Sequence, residues 1–348
     1  MHARLLNLLR NMTRRVWLVA RLRDDRLGFP SDKRLFVFIP DVHLVSRTRR
    51  ASFNYGTNSI PMLTQLCLNL KVMKSQLAGD EELDLYQLGD LLDLWRQTTK
   101  QSDHLSAAAV ISNDYPELMG ALRHTSLDCQ FLFGNHDLML YGSDDYLAWN
   151  WRYYVQRDPT AKRNALILHG DIFDWLEKLP PAPRAAIVSI FGGYHRTGKW
   201  TLESAMSAMR RHVRALHEAR SYQDYIQNAS PAQLGLLDSE LEPTRDRINV
   251  QTADSAVSMG LQYLEFASSH CRELNQENPE DLDLRLVVIG HTHHARIAVR
   301  ESKDGEFLAL MDCGAWIEWC RMGNGELRPN AQLGVLSAND LRIYQLED

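Results

Sequence analysis

Cysteine is scarce in this chain, with 5 among 348 residues. Cys67, Cys129, Cys271, Cys313 and Cys320 are odd in number and scattered without CxxC spacing, so neither a disulfide framework nor a zinc ribbon is indicated. Long apolar runs are also missing. No uninterrupted stretch approaches the roughly 20 residues a membrane-spanning helix needs, which excludes such a helix. Met1 to Arg26 mixes leucines with Arg4, Arg10, Arg14, Arg15, Arg21 and Arg23 and lacks the continuous apolar core and small-residue cleavage site of a secretory signal. A reduced, cytoplasmic chain is the expectation. Excess charge of either sign is absent as well: 39 Lys+Arg against 44 Asp+Glu leave −5. A dedicated nucleic-acid coat usually carries a strongly basic balance instead. There is no internal repeat and no low-complexity segment.

What remains is ordinary globular material, 45% hydrophobic and 24% charged, with ample substance for a core. The length points to one large domain, or one domain with a sizeable insertion, because single cores stop growing near roughly 250 to 300 residues.

Short runs of branched and aromatic residues recur, each ending in Gly, Asp, Asn or His, which is how buried strands leading into functional loops read. They are Leu35 to Ile39, Leu83 to Leu88, Gln130 to Phe133, Ala165 to Leu168 and Leu284 to Ile289. Helical patterns lie between them: Ile60 to Leu77, with Leu63, Leu66, Leu70, Met73 and Leu77 on one stripe, and Leu105 to Leu122. Alternating strands and helices imply an α/β core. After His294 the pattern changes to short strands, Arg296 to Arg300, Phe307 to Met311, Gly334 to Ser337 and Arg342 to Gln345, expected to complete a second sheet of a sandwich. From Asp171 to Asp283 a Pro-rich stretch (Leu179 to Pro183) is followed by long helical patterns to about Cys271. This interval reads as a helical insertion.

Five small motifs stand at the ends of the five expected strands: Asp41-Val42-His43, Gly89-Asp90-Leu91-Leu92-Asp93, Gly134-Asn135-His136-Asp137, His169-Gly170-Asp171 and Gly290-His291-Thr292-His293. Loops at the carboxyl ends of strands in an α/β sheet converge on one crevice, so residues distant in sequence meet there. What meets is two Asp, one Asn and at least four His. That is the ligand inventory of a transition-metal site, since imidazole suits Zn, Fe and Mn while carboxylate and amide oxygens favour harder ions. Seven ligands exceed one four-coordinate ion and suit two ions sharing a carboxylate. Asp41 and His43 leave a strand end on the same side and can grip one ion together, as can His291 and His293. Any one of these histidines alone would read as a structural residue; five blocks in order do not.

These blocks resemble the signature of the calcineurin-like metallophosphoesterase superfamily, and the resemblance runs from Asp41 to His294. It implies a four-layer α/β/β/α sandwich over residues 31–348, with a helical insertion at about 175–282 as a lid; the Leu/Arg pattern before it reads as an amphipathic helical segment at 1–30. Carried over residue by residue, the resemblance makes Asp41, His43 and His293 ligands of one metal and Asn135, His169 and His291 ligands of a second, with Asp90 bridging. His136 matches the histidine that contacts the substrate phosphate and helps the leaving group, and Asp137 its acidic partner. Asp93 is read as orienting a ligand histidine from behind. The implied cofactor is a pair of divalent transition-metal ions, manganese first, with iron or zinc also suited. The implied chemistry is in-line attack by a metal-bridging hydroxide, without a covalent phosphoenzyme. Such ions would leave the crevice net positive despite the acidic total, so the partner expected is a small anionic phosphoester.

The second block lacks the Asp-Arg-Gly continuation of protein Ser/Thr phosphatases, and the third ends in Asp where those enzymes have Glu. A phosphoprotein phosphatase is therefore disfavoured. The chain is more similar to the bacterial branch that includes UDP-2,3-diacylglucosamine pyrophosphohydrolases, in Leu-Gly-Asp-Leu-Leu-Asp-Leu-Trp, in His-Gly-Asp, in the helical insertion and in Gly-Ala-Trp after Gly-His-Thr-His. Those enzymes often carry Arg where this chain has His136. Two alternatives stay open: a nuclease, which needs a basic groove with stacking aromatics and which the overall charge counts against, and a noncatalytic interaction module on the same fold. No stable nucleic-acid complex is expected. Several residues take the plainer reading: Asp171 and His294 as neighbours of ligands, Asp174 and Trp175 as a helix start, Lys199, Arg210, Arg211, Arg214 and Arg220 as a solvated face, and Cys313 and Trp316 as buried core. Residues 1–26 fit either an anionic membrane surface, reached from inside the cell, or packing on the body.

Overall fold

The apolar runs are buried on both faces, and the face each residue takes follows from the two-residue repeat of an extended chain. A computed structural model describes residues 1–47, 59–94, 104–137, 140, 143–146, 148–156, 161–171, 254–301, 305–320 and 327–347. The Pro-rich stretch, Asp174, Trp175 and the basic positions from Lys199 to Arg220 lie outside them. Strands β2 (Arg34–Ile39), β3 (Glu82–Gln87) and β4 (Cys129–Phe131) run parallel to one another. The sheet continues from β2 through β11 (Leu327–Ser337) and β12 (Asp340–Glu347) to β1 (Arg15–Arg23), all antiparallel, with β10 (Trp316–Cys320) also on β11. A five-stranded mixed sheet has the order β5 (Arg152–Gln156), β6 (Arg163–Leu168), β7 (Leu282–Ile289), β9 (Phe307–Asp312) and β8 (Arg296–Glu301). The architecture is therefore mixed α/β, with two mixed sheets and, among the described residues, five α-helices.

Phe36 and Phe38 of β2 share one buried cluster with Ile167 of β6, Leu286 and Val288 of β7, and Met311 of β9, so the two sheets face each other. The alternate residues Leu35, Val37 and Ile39 point the other way, into a cluster with helices α1 (His2–Met12), α2 (Ser59–Ser75), α3 (His104–Asp114) and α4 (Pro116–Leu122). On the far face of the five-stranded sheet, Val287 and Ile289 meet Leu264, Ala267 and Cys271 of α5 (Asp254–Glu277).

The Leu63, Leu66, Leu70 and Met73 stripe is the buried face of α2, and Leu77 falls just past its end. The single helix expected over Leu105 to Leu122 is two, α3 and α4. Pro116 opens the second, and the clash of its ring with the residue before it disfavours helix at Tyr115.

Three expectations need correction. The helical segment at 1–30 stops at Met12, because Arg15–Arg23 pairs antiparallel with β12. Leucines at near-helical spacing masked a stretch with Val16, Trp17 and Val19, which suits a strand once a partner is present. The strands after His294 do not build one sheet: β8 and β9 join the five-stranded sheet, whereas β11 and β12 join the other. The insertion's end at 282 lies inside β7, since α5 finishes at Glu277.

Leu5 and Leu9 of α1 are fully buried in the cluster shared with β2 and α2, so the apolar side of this helix packs on the body. Among the described residues, no helix is long and apolar enough to cross a membrane. Replacing Leu9 with Ala should lower unfolding stability by about 2 to 5 kcal/mol, the usual cost of emptying a buried leucine site. Denaturant unfolding checks this, and an unchanged midpoint would mean that α1 is not docked.

Candidate metal centre

Parallel strands of both sheets end on the same crevice, and the chain turns sharply there. Asp41 follows β2, Asp90 follows β3, Asn135 and His136 follow β4, His169 follows β6, and His291 and His293 follow β7. His43, Asp90, His291 and His293 have φ of 52°, 49°, 64° and 61°. A left-handed backbone at a non-glycine residue costs roughly 1 to 3 kcal/mol, so surrounding bonds must hold each in place. Asp90 O accepts from Val42 N and His43 N at 3.1 and 2.8 Å, which ties the first loop to the second. Asp90 Oδ1 accepts from His136 N at 2.8 Å, and Asp41 Oδ1 accepts from His291 N at 2.9 Å.

Two glycines are required by this crowding. A Cβ on Gly134 would lie 2.2 Å from Asp90 Oδ1, and one on Gly290 would lie 2.3 Å from Asp41 Oδ1. Each backbone presses directly on a carboxylate.

Six of the seven expected ligands gather into two groups, and a third group, His43 with Asp93 and His136, shares one ring with the first. Asp41, His43 and His293 form one: His43 Nε2 and His293 Nε2 are 2.9 Å apart, and Asp41 Oδ2 is 3.0 Å from His293 Nε2 and 3.8 Å from His43 Nε2. Asp90, His169 and His291 form the other: His169 Nε2 is 3.4 Å from Asp90 Oδ2, 3.1 Å from His291 Nδ1 and 3.0 Å from Asn135 Oδ1. Asp90 Oδ2 also lies 3.6 Å from His43 Nε2, so this carboxylate stands between the groups.

These donors fit a cation. Asp41 Oδ2 is buried and makes no hydrogen bond. His169 Nδ1 is 2.8 Å from the carbonyl of Leu88, an arrangement that fixes its proton there and turns Nε2 toward Asn135 Oδ1, Asp90 and His291. That nitrogen faces two oxygen acceptors, and a second proton or a metal ion there would satisfy both.

The ionisation of the groups follows the same logic. Burial lowers the His169 pKa, but Asp90 and Asp41 outweigh it and hold the ring well above the ordinary value. Burial pushes His43 down to about 4, helped by His136, and also takes His293 well below its usual range. Burial, opposed by His169 and reinforced by Asp90, raises Asp41. For Asp90 burial acts upward, yet His169, His136 and His43 together leave its carboxyl well below the ordinary range.

Asp93 Oδ1 is 2.9 Å from His136 Nδ1 and Asp93 Oδ2 is 3.3 Å from His43 Nδ1. One carboxylate therefore hydrogen-bonds the His136 ring and lies close beside the His43 ring. Asp137, expected beside His136, is placed otherwise: its oxygens accept from Gly134 N and Leu91 N at 2.7 and 2.9 Å. It staples two loops together, and Asp93 is the acidic partner of His136. Cys313 and Trp316 are fully buried, Asp171 is half-buried, and the backbone N–H of half-buried His294 donates to Thr292 Oγ1.

Sequence reasoning missed Arg296 and Asp312, a buried ion pair beside Thr292. The available signal was Asp312 closing an apolar run, as Asp41 and Asp90 do.

No protein-family model matches the chain, and no curated protein matches it.

Asp90 and Asp41 favour a second proton on His169, and a ligand nitrogen would have to give that proton up, so any Mn²⁺ uptake should release protons and strengthen as pH rises. Titration calorimetry with Mn²⁺ in buffers of different ionisation enthalpy should give heats that vary with the buffer; identical heats would contradict it. Gly134→Ala should abolish that uptake by displacing Asp90.

Proposed function

We propose that this chain is a dinuclear-metal phosphoester hydrolase of the calcineurin-like metallophosphoesterase type. One observation carries the reading: seven polar residues from five separate loops collect into two groups of metal-ligand character on either side of Asp90. The succession of helices, seven-stranded sheet, five-stranded sheet and helix supports that family's four-layer sandwich.

Asp41, His43 and His293 would hold one divalent ion, and Asn135, His169 and His291 the other, with Asp90 shared. When bound, two such ions supply Lewis acidity, acidifying water and neutralising charge on a phosphoryl group. The mixed imidazole and oxygen set suits manganese, iron or zinc.

The remaining steps belong to the chain itself. Asp93 holds His136 at Nδ1, which leaves Nε2 as the ring atom able to give a proton to a departing oxygen. The other oxygen of Asp93 lies 3.3 Å from Nδ1 of His43, so a negative charge stands behind that ring too. Asp137 fixes the loop carrying His136 by binding Gly134 N and Leu91 N, so that ring is held at both side chain and backbone. The substrate class is a small phosphoester or a nucleotide-linked pyrophosphate such as a UDP-diacylglucosamine-like lipid.

The test is hydrolysis with Mn²⁺ of bis-p-nitrophenyl phosphate, p-nitrophenyl phosphate, UDP-sugars and single-stranded DNA. Turnover of at least one small ester is expected, abolished by chelation and by Asp90→Asn. His136→Asn should keep both ions while losing roughly 10²- to 10⁴-fold in kcat, the usual share of general acid catalysis. Inactivity on every ester with two ions bound would overturn the enzyme reading, and turnover of DNA alone would favour a nuclease.

A further inference from the structure

Two candidate ligands, one from each group, stand on either side of a single residue. His291 belongs with Asp90 and His169, and His293 belongs with Asp41 and His43. Both take a left-handed backbone conformation that their side chains disfavour. Something must hold the turn in that shape.

Thr292 lies between them, 3% exposed. Its hydroxyl donates to Asp312 Oδ2, accepts from Arg296 Nη2 at 3.1 Å, and accepts from His294 N at 3.2 Å. A hydroxyl has one proton and two lone pairs, so its whole capacity is used. The backbone N–H of Thr292 donates to Gly290 O at 2.7 Å, closing the turn from within.

The partners of that hydroxyl are themselves fixed. Arg296 Nη2 and Asp312 Oδ2 are 2.9 Å apart, at 2% and 0% side-chain exposure. Arg296 opens β8 and Asp312 closes β9, directly opposite each other in the antiparallel ladder. Asp312 is also the ladder partner of Ile289, the last residue of β7 before the turn. The pair is therefore anchored to the strand that delivers the ligands.

A buried ion pair is a poor source of stability, since desolvation offsets most of its attraction and an apolar pair of similar volume often does as well. What an apolar pair would lack is a donor and an acceptor set to receive one hydroxyl from two directions. We propose that Thr292, clamped by Arg296 and Asp312, is the positioning residue that sets the turn and aims His291 at one ion and His293 at the other. This inference rests on the dinuclear reading of the site.

The consequence is a coupling between the two sites. Loss of one hydroxyl, without change to any ligand, should weaken both ions together rather than one. Thr292→Val removes the hydroxyl at nearly constant volume, and Thr292→Ser keeps it while removing the methyl group. Arg296→Lys keeps the charge opposite Asp312 but, on a shorter side chain, withdraws the nitrogen that reaches both Asp312 and Thr292.

Titration calorimetry with Mn²⁺ on the full chain, alongside thermal unfolding of the metal-free protein, tests the proposal. Thr292→Val and Arg296→Lys should each bind at both sites about 10- to 100-fold more weakly, the usual effect of losing an orienting partner. Thr292→Ser should bind both ions as the unsubstituted chain does, a recovery that loss of packing alone would not give. Should Thr292→Val not fold, Arg296→Lys and Thr292→Ser carry the comparison. A folded Thr292→Val or Arg296→Lys chain that binds two ions with unchanged affinity overturns the positioning role and leaves the dinuclear reading intact. An unsubstituted chain that binds no Mn²⁺ overturns both.

Discussion

Carboxylates and imidazoles buried side by side set the terms for the rest of this molecule. His169 Nδ1 faces the Leu88 carbonyl, so its Nε2 meets Asn135, Asp90 and His291 needing a second positive partner. His43 and His293 place their Nε2 atoms 2.9 Å apart beside a buried oxygen of Asp41 that has no hydrogen bond. Burying charge is costly, and the proposed pair of divalent cations would relieve the conflict at both places. Much else in the crevice serves this crowding: four residues in left-handed backbone, and glycines pressed against Asp90 and Asp41. Such local strain persists only where surrounding structure over-determines it.

The two sheets supply that surrounding structure. Phe36, Phe38, Leu286, Val288 and Met311 lock the sheets face to face, which fixes the ends of β2 and β3 against the ends of β6 and β7. Asp41 and His291, 250 residues apart in sequence, then meet through a backbone-to-carboxylate bond. Packing in the interior thus becomes registration at the rim. Asp93 and Asp137 divide the next task between them: one carboxylate orients the ring of His136, and the other joins two loops.

The ligand-bearing strands were legible because each apolar run is short, buried on both faces and closed by Gly, Asp, Asn or His. The grouping of Asp41 with His43 and His293, and of Asp90 with His169 and His291, came from the family resemblance; spacing alone put His291 and His293 on one ion, and the structure divides them between the two groups. Less visible was anything decided by a distant partner. Arg15–Arg23 carries leucines at helical intervals and becomes a strand because β12 lies beside it. The choice between Asp93 and Asp137 as partner of His136 depends on which carboxylate the backbone of Gly134 and Leu91 has already engaged, and no spacing rule encodes that. The Arg296 and Asp312 pair was hidden for a similar reason: it joins the start of one strand to the end of the next and acts on Thr292, a residue without ligand chemistry of its own.

The most direct measurement is anomalous diffraction from crystals grown with Mn²⁺. Two peaks are expected roughly 3.5 to 4 Å apart, the usual separation in such centres. One should lie among Asp41, His43 and His293, the other among Asn135, His169 and His291, with Asp90 touching both. A single peak, or none within this crevice, would contradict the dinuclear centre.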